Sequence, residues 1–289
     1  MADDALDPFV GRTLSDVYKI TQVLGSGRVS RVYRAEHTRL ERSHAIKVLR
    51  SEFAFDSQLR ERFRREAQLV SELGSPNLVQ IIDFNEIDGV PYQVMELLIG
   101  ETLAQRIART GKLPLPQVER VVEQLVAALS TVHGAGIVHR NLHPGAIYLH
   151  QSPEGGEQVK LIGFGQSKAP TGEPLTGDAV LGTPLYMSPE QARSSATVDI
   201  RSDIYSLAAV VFEMLCGEPP FEGGSPAEVL QRIVAQPPRL IRGSLPHFSP
   251  AFDGILQMAM AKDPARRPKT VDEFWLALTD ALETTAPGW

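Results

Sequence analysis

The apolar positions of residues 17–96 fall in short runs rather than in helical stripes. Residues 18–24, 29–36, 43–49, 78–86 and 91–96 are rich in β-branched and aromatic side chains. Gly25, Gly27 and the Asp88-Gly89 pair punctuate them, a pattern that predicts strands with a hairpin at Asp88-Gly89. One stretch departs from this. Across residues 56–73, Phe63, Ala67 and Val70 recur at helical spacing before Gly74, which predicts a single helix among the strands.

After Gly100 the period changes. Residues 103–109 and 115–135 carry 3.6-residue stripes, the second opening with Gln117 and Val118 after Pro116. A strand-loop-strand region is predicted at 137–162, then helices at 203–216, 226–235, 252–260 and 271–281. The sum is an α+β chain: an extension at 1–16, a β-rich lobe at 17–96, a helical lobe at 97–283 and a tail at 284–289. A hinge at about 95–100 and a cleft between the lobes are the expectation.

Composition narrows the function. With 43% hydrophobic residues, the 289-residue chain can fill a full core. A net charge of −6 and a pI near 5.7 argue against general nucleic-acid binding, which needs a basic face. The single cysteine, Cys216, excludes an internal disulfide and reads as a small buried hydrophobe in an apolar run. The acidic start Met-Ala-Asp-Asp lacks the order of a signal peptide, and the longest apolar run, 204–216, is interrupted by Glu213. No membrane span and a soluble, cytoplasmic protein are therefore expected.

The candidate chemistry begins at Gly25-Ser26-Gly27-Arg28-Val29-Ser30, where small residues would let backbone amides approach phosphate oxygens. Glycines at a hairpin turn need no ligand, so that motif alone decides little. Lys47, flanked by Ala45, Ile46 and Val48, would be costly to bury without a counter-ion. Glu66 on the following helix is the favoured partner, although Glu66 has Arg62 four residues back as an alternative. The same helix is densely basic over 60–65, either a solvated face or a docking surface for an acidic partner. Later come His139-Arg140-Asn141-Leu142-His143-Pro144-Gly145-Ala146, Gly163-Phe164-Gly165 and Gly182-Thr183-Pro184-Leu185-Tyr186-Met187-Ser188-Pro189-Glu190-Gln191. Asp203-Ile204-Tyr205-Ser206-Leu207 and Arg267-Pro268 complete the series.

In that order, these motifs resemble the eukaryotic-like serine/threonine protein kinases, especially their bacterial branch, over about residues 18–282. The resemblance implies a bilobal kinase fold. It places nucleotide contacts at Leu24, Gly25, Gly27, Val32, Ala45, Lys47, Glu66, Met95, Glu96, Leu98 and Tyr148. It implies structural roles for His139 and Phe164 in a hydrophobic spine, Asp203 beneath the catalytic-loop backbone, and Glu190 paired with Arg267. Arg140 would be the receptor for a phosphate on Thr171 or Thr176, or else a leftover arginine beside an unmodified loop, and Thr183 reads as structural.

Four residues break the family pattern. Asn141 stands where the aspartate base belongs, His143 replaces a lysine, and Ala146 and Gly163 replace the two metal ligands. Phosphoryl transfer needs a carboxylate to orient the hydroxyl and metal ions to neutralise the triphosphate. An amide accepts no proton at neutral pH, and loss of a general base costs about 10²–10⁴ in rate. A neutral imidazole is a poor substitute for an ammonium. The expectation is a pseudokinase that binds and regulates another protein, such as an active kinase, with no required cofactor and weak, magnesium-independent ATP binding. A low-activity kinase recruiting Glu101 or Asp178 as metal ligands, and a non-kinase nucleotide transferase, are the alternatives.

Overall fold

The computed structural model describes residues 7–152, 155–166, 184–193 and 198–283. Contacts divide the chain into two units, Met1–Ile99 and Gly100–Trp289. The first is built on a curled six-stranded sheet and the second is mainly helical, an α+β kinase-like arrangement.

In the first unit β1 (Thr13–Leu14), β2 (Tyr18–Ser26), β3 (Ser30–His37), β4 (Ser43–Leu49), α1 (Ser57–Ser71), β5 (Ile81–Ile87) and β6 (Val90–Glu96) follow in sequence. The antiparallel sheet runs β1-β2-β3-β4-β6-β5. Ile20, Tyr33, Ile46, Tyr92 and Val94 supply its apolar core, each nearly or fully buried. Helix α1 starts at Asp56, whose carboxylate accepts the N–H groups of Gln58 and Leu59, and buries Phe63, Glu66, Ala67 and Val70.

Two details differ from the sequence pattern. The apolar run at 78–86 becomes a continuous strand only from Ile81; Leu78 is an isolated β-bridge residue just after a turn, its N–H donating to Ser75 O at 3.2 Å, and both Leu78 and Val79 are buried. Burial, not a place in a continuous strand, explains their character. The segment before Tyr18, read as an extension, adds β1 to the sheet and Phe9 to its core. Asp7, buried there, accepts Phe9 N at 2.9 Å and Tyr33 Oη at 3.2 Å, and pairs with Arg31.

The second unit comprises β7 (Gly100–Thr102), α2 (Leu103–Thr110), α3 (Leu115–Gly134), β8 (Ile147–Gln151), β9 (Glu157–Leu161), α4 (Pro189–Arg193), α5 (Ile200–Cys216), α6 (Pro226–Ala235), α7 (Pro250–Ala259) and α8 (Val271–Glu283). Strands β7-β8-β9 form a small antiparallel sheet. Helix α5 is buried nearly throughout, as a central helix must be. It begins one turn earlier than the apolar run, at the Asp199 N-cap, so Asp203 lies in its first turn. It ends at Gly217 (φ +82°), where a Cβ would lie 2.5 Å from Gly111 O. Cys216, expected to be fully buried, is only partly so because it is the last residue of α5; burial still pushes its thiol up to about 11. Among the described residues, no helix is long and apolar enough to cross a membrane.

Candidate functional site

Gly25 lies at the exposed end of β2, paired with Val32, and Gly27 follows in the β2–β3 turn, where its N–H donates to Ser30 O at 2.8 Å. Arg50, just past β4, reaches back to this turn, with Nε on Gly27 O at 2.9 Å and a guanidinium N–H on Ser26 Oγ at 2.8 Å. Lys47 sits mid-β4, opposite Val32 of β3 and Gln93 of β6. Its Nζ donates to both carboxylate oxygens of Glu66, at 2.8 and 2.6 Å, and lies 5.3 Å from the Phe63 ring centre. The alternative partner Arg62 keeps a buried Nε without a hydrogen-bond partner among the described residues.

The other first-unit candidates are more scattered. Ala45 is buried opposite the half-buried Met95, Val32 and Leu98 are half-buried, and Leu24 is exposed. Glu96 Oε1 accepts Gln80 N at 2.8 Å. The basic face of α1 is largely paired: Arg60 donates to Ala54 O, Gly89 O and Glu86, and Arg64 and Arg65 donate to Glu61. Those two arginines hold the Glu61 carboxyl below its usual range.

In the second unit, residues 139–146 join the α3 side of the fold to β8. Asp203, fully buried, accepts His139 N and Arg140 N at 2.8 Å each and His133 Nε2 at 2.8 Å. Burial alone would raise its carboxyl, but the His133 hydrogen bond, the neighbouring His133 and His139 rings and the Arg140 amide hold it below the usual range. His133, the penultimate residue of α3, was not singled out from sequence; its helical position gave no signal of a partner 70 residues away. His139 accepts Asn141 N on Nδ1 at 3.3 Å, so its Nε2 carries the proton directed at Ile162 O, 3.1 Å away. Its ring meets Phe164 edge-on at 4.6 Å.

The four departing residues have these surroundings. Asn141 Nδ2 lies 3.5 Å from Gly163 O. Gly163 is left-handed at φ +85°, and a Cβ there would come within 3.4 Å of Asn141 Nδ2 and 3.6 Å of Ala146 Cβ. Ala146 is buried. His143 Nδ1 accepts Gly145 N at 3.1 Å, and the ring stacks on Tyr186 at 6.3 Å. Burial, then the neighbouring His139, lowers its pKa to about 4, so the imidazole is neutral at physiological pH. Tyr186 in turn donates to Glu213 at 2.6 Å.

These residues do not fit a divalent cation. At the two positions where the family pattern has metal ligands, a methyl (Ala146) and a glycine (Gly163) supply no side-chain oxygen of the kind magnesium requires. Among the described residues no group of three or more His, Cys, Asp or Glu could hold a metal. Glu101, a possible substitute ligand, receives Arg106 and Arg109 at 2.5 Å each, and both hold its carboxyl below the usual range. Asp178 lies outside the described residues, as do Thr171, Thr176 and Thr183.

Around these positions most of the polar framework is paired. Arg267 forks onto Glu190 with contacts of 2.6 and 2.7 Å and lies 5.0 Å from the Tyr205 ring centre. Arg140 (φ +64°) accepts Gln191 Nε2 on its carbonyl at 2.8 Å. Its guanidinium reaches Val198 O at 3.4 Å, keeps Nε without a partner among the described residues, and has its pKa lowered by burial. Tyr148 Oη donates to Gly100 O at 2.9 Å.

The protein kinase domain model matches residues 18–276. The chain is similar to the serine/threonine-protein kinase pkn3 of Myxococcus xanthus, 35% identical over 93% of this chain and 50% of that protein. It is also similar to PrkC of Bacillus subtilis, 37% identical over 95% of this chain and 42% of PrkC. It thus spans about half the length, or less, of these relatives. Among solved structures, the Mycobacterium tuberculosis PknI kinase domain matches with a TM-score of 0.74 and 27% identity, covering 96% of this chain and 100% of that one.

Proposed function

The chain belongs to the protein kinase family, and from that premise we propose that it is a pseudokinase, which binds and regulates a protein partner rather than transferring phosphate. One observation carries this reading: the catalytic-loop frame is held by Asp203, while Asn141, His143, Ala146 and Gly163 supply neither base, cation nor metal ligand. The partner is an active kinase or another signalling protein. Lys47 and the glycine-rich turn support ATP binding that is weak and independent of magnesium, since no protein ligand for the metal accompanies them.

A second reading, a low-activity serine/threonine kinase, is favoured by the relatives, pkn3 and PrkC, both named as serine/threonine kinases. The two readings separate on the purified chain, melted with ATP in the presence and absence of Mg²⁺ or Mn²⁺ beside intact-mass analysis. The pseudokinase reading expects no added phosphate and at most a small, metal-independent shift. Metal-dependent autophosphorylation that disappears in Lys47→Met overturns it in favour of the kinase, and added nucleotide mass points to a transferase.

A further inference from the structure

Gln93 is a polar side chain in a place that asks for an apolar one. It lies in β6 with no solvent exposure, opposite Lys47 on one side and Phe84 on the other. Its Nε2 donates to the backbone carbonyl of Phe63 at 2.7 Å, while its Oε1 has no hydrogen-bond partner among the described residues. A leucine or methionine would fill the same core without an orphan acceptor. The amide therefore does something an apolar side chain cannot, and the available bond is the one to Phe63.

Phe63 is mid-α1, and its carbonyl has a second lone pair beyond the one used by the helix. It is also the residue nearest in chemistry to the Lys47–Glu66 pair. Its ring lies 5.3 Å from Lys47 Nζ, and Glu66 follows three residues later on the same helical face. Phe63 further packs on Phe84 of β5 at 6.2 Å.

We infer that Gln93 is the pin that sets the position of α1 on the sheet, so that the Lys47–Glu66 pair is assembled by the fold itself and not by a ligand. The buried bond fixes the middle of α1 along its axis, where the surrounding contacts with β5 and β6 are apolar, while Arg60 ties the exposed first turns of the helix to Glu86 and Gly89. Gln93 is a positioning residue: it acts on Glu66 through the α1 backbone. The inference stands on the first unit alone and is independent of whether the protein transfers phosphate.

Hydrogen exchange on the full-length chain tests it. In Gln93→Met, nearly equal in volume, the amides of α1 are expected to exchange about tenfold faster, the scale of one net hydrogen bond, with β2–β4 unchanged. In Glu66→Gln, which leaves the pin in place, α1 protection should stay within about threefold of wild type. This second arm reads out even where Gln93→Met folds poorly. Unchanged α1 protection in Gln93→Met, uniform loosening of the whole sheet, or a Glu66→Gln effect as large as that of Gln93→Met would each overturn the inference.

Discussion

Asp203 Oδ1 accepts the backbone N–H of Arg140 at 2.8 Å, across 63 residues of chain. The bond holds a non-glycine residue at φ +64°, and it acts on the backbone, so it is indifferent to what side chain stands at 141. The shape of the loop and its chemistry are therefore separable.

Asp203→Asn should cost about 3 kcal/mol in denaturant unfolding, because a buried carboxylate with three donors becomes an amide with one acceptor oxygen. The native carboxyl is held low, so its contribution is complete above the unfolded value of about 4 and is lost as pH falls below it. The variant should flatten that part of the acid limb; an unchanged limb would place the acid sensitivity elsewhere.

The Arg267–Glu190 pair is buried, with Arg267 side chain fully enclosed. Arg267→Met leaves a carboxylate stranded and should destabilise by about 3–5 kcal/mol. Adding Glu190→Leu should recover part of that loss, and a double-mutant cycle with coupling below about 0.5 kcal/mol would refute the pairing as a stabilising unit.

His143 predicts a second acid transition at higher pH. Its native pKa of about 4 lies below the unfolded value near 6.5, so the unfolded chain takes up the proton first. Stability should fall by up to about 3 kcal/mol between pH 6.5 and 4, and be complete above 6.5. His143→Asn keeps an acceptor for Gly145 N and removes the titration. Equal pH slopes in wild type and variant would exclude a neutral buried imidazole.

Restoring one catalytic group should not restore catalysis. Asn141→Asp returns the base but leaves Ala146 and Gly163 without oxygen, so phosphate incorporation from ATP with Mg²⁺ should stay at background. Gly163→Asp should cost about 1–3 kcal/mol, since the backbone there is left-handed. Measurable incorporation by Asn141→Asp alone would show that metal is recruited without these residues.

Period and punctuation in the sequence were enough for most elements, because each depends on residues within a few positions of one another. The signals failed where burial and pairing diverge. Leu78 and Val79 read as strand because they are apolar, yet they are buried just before the continuous strand, Leu78 making only an isolated bridge. Residues 13–14 form a strand that only β2 makes possible. At the site, residue type alone exposed the missing carboxylates, since an absent functional group is visible wherever the side chain points.

The sequence by itself determined the order of elements and the family frame, and showed Asn141, Ala146 and Gly163 where the family pattern has an aspartate base and two metal ligands. Only the tertiary structure decided that Lys47 holds Glu66, that His133 completes the Asp203 cluster, and that Gln93 ties α1 to the sheet. The reason is physical. A side chain carries its chemistry with it, but a hydrogen-bond partner 30 or 70 residues distant exists only once the chain has folded.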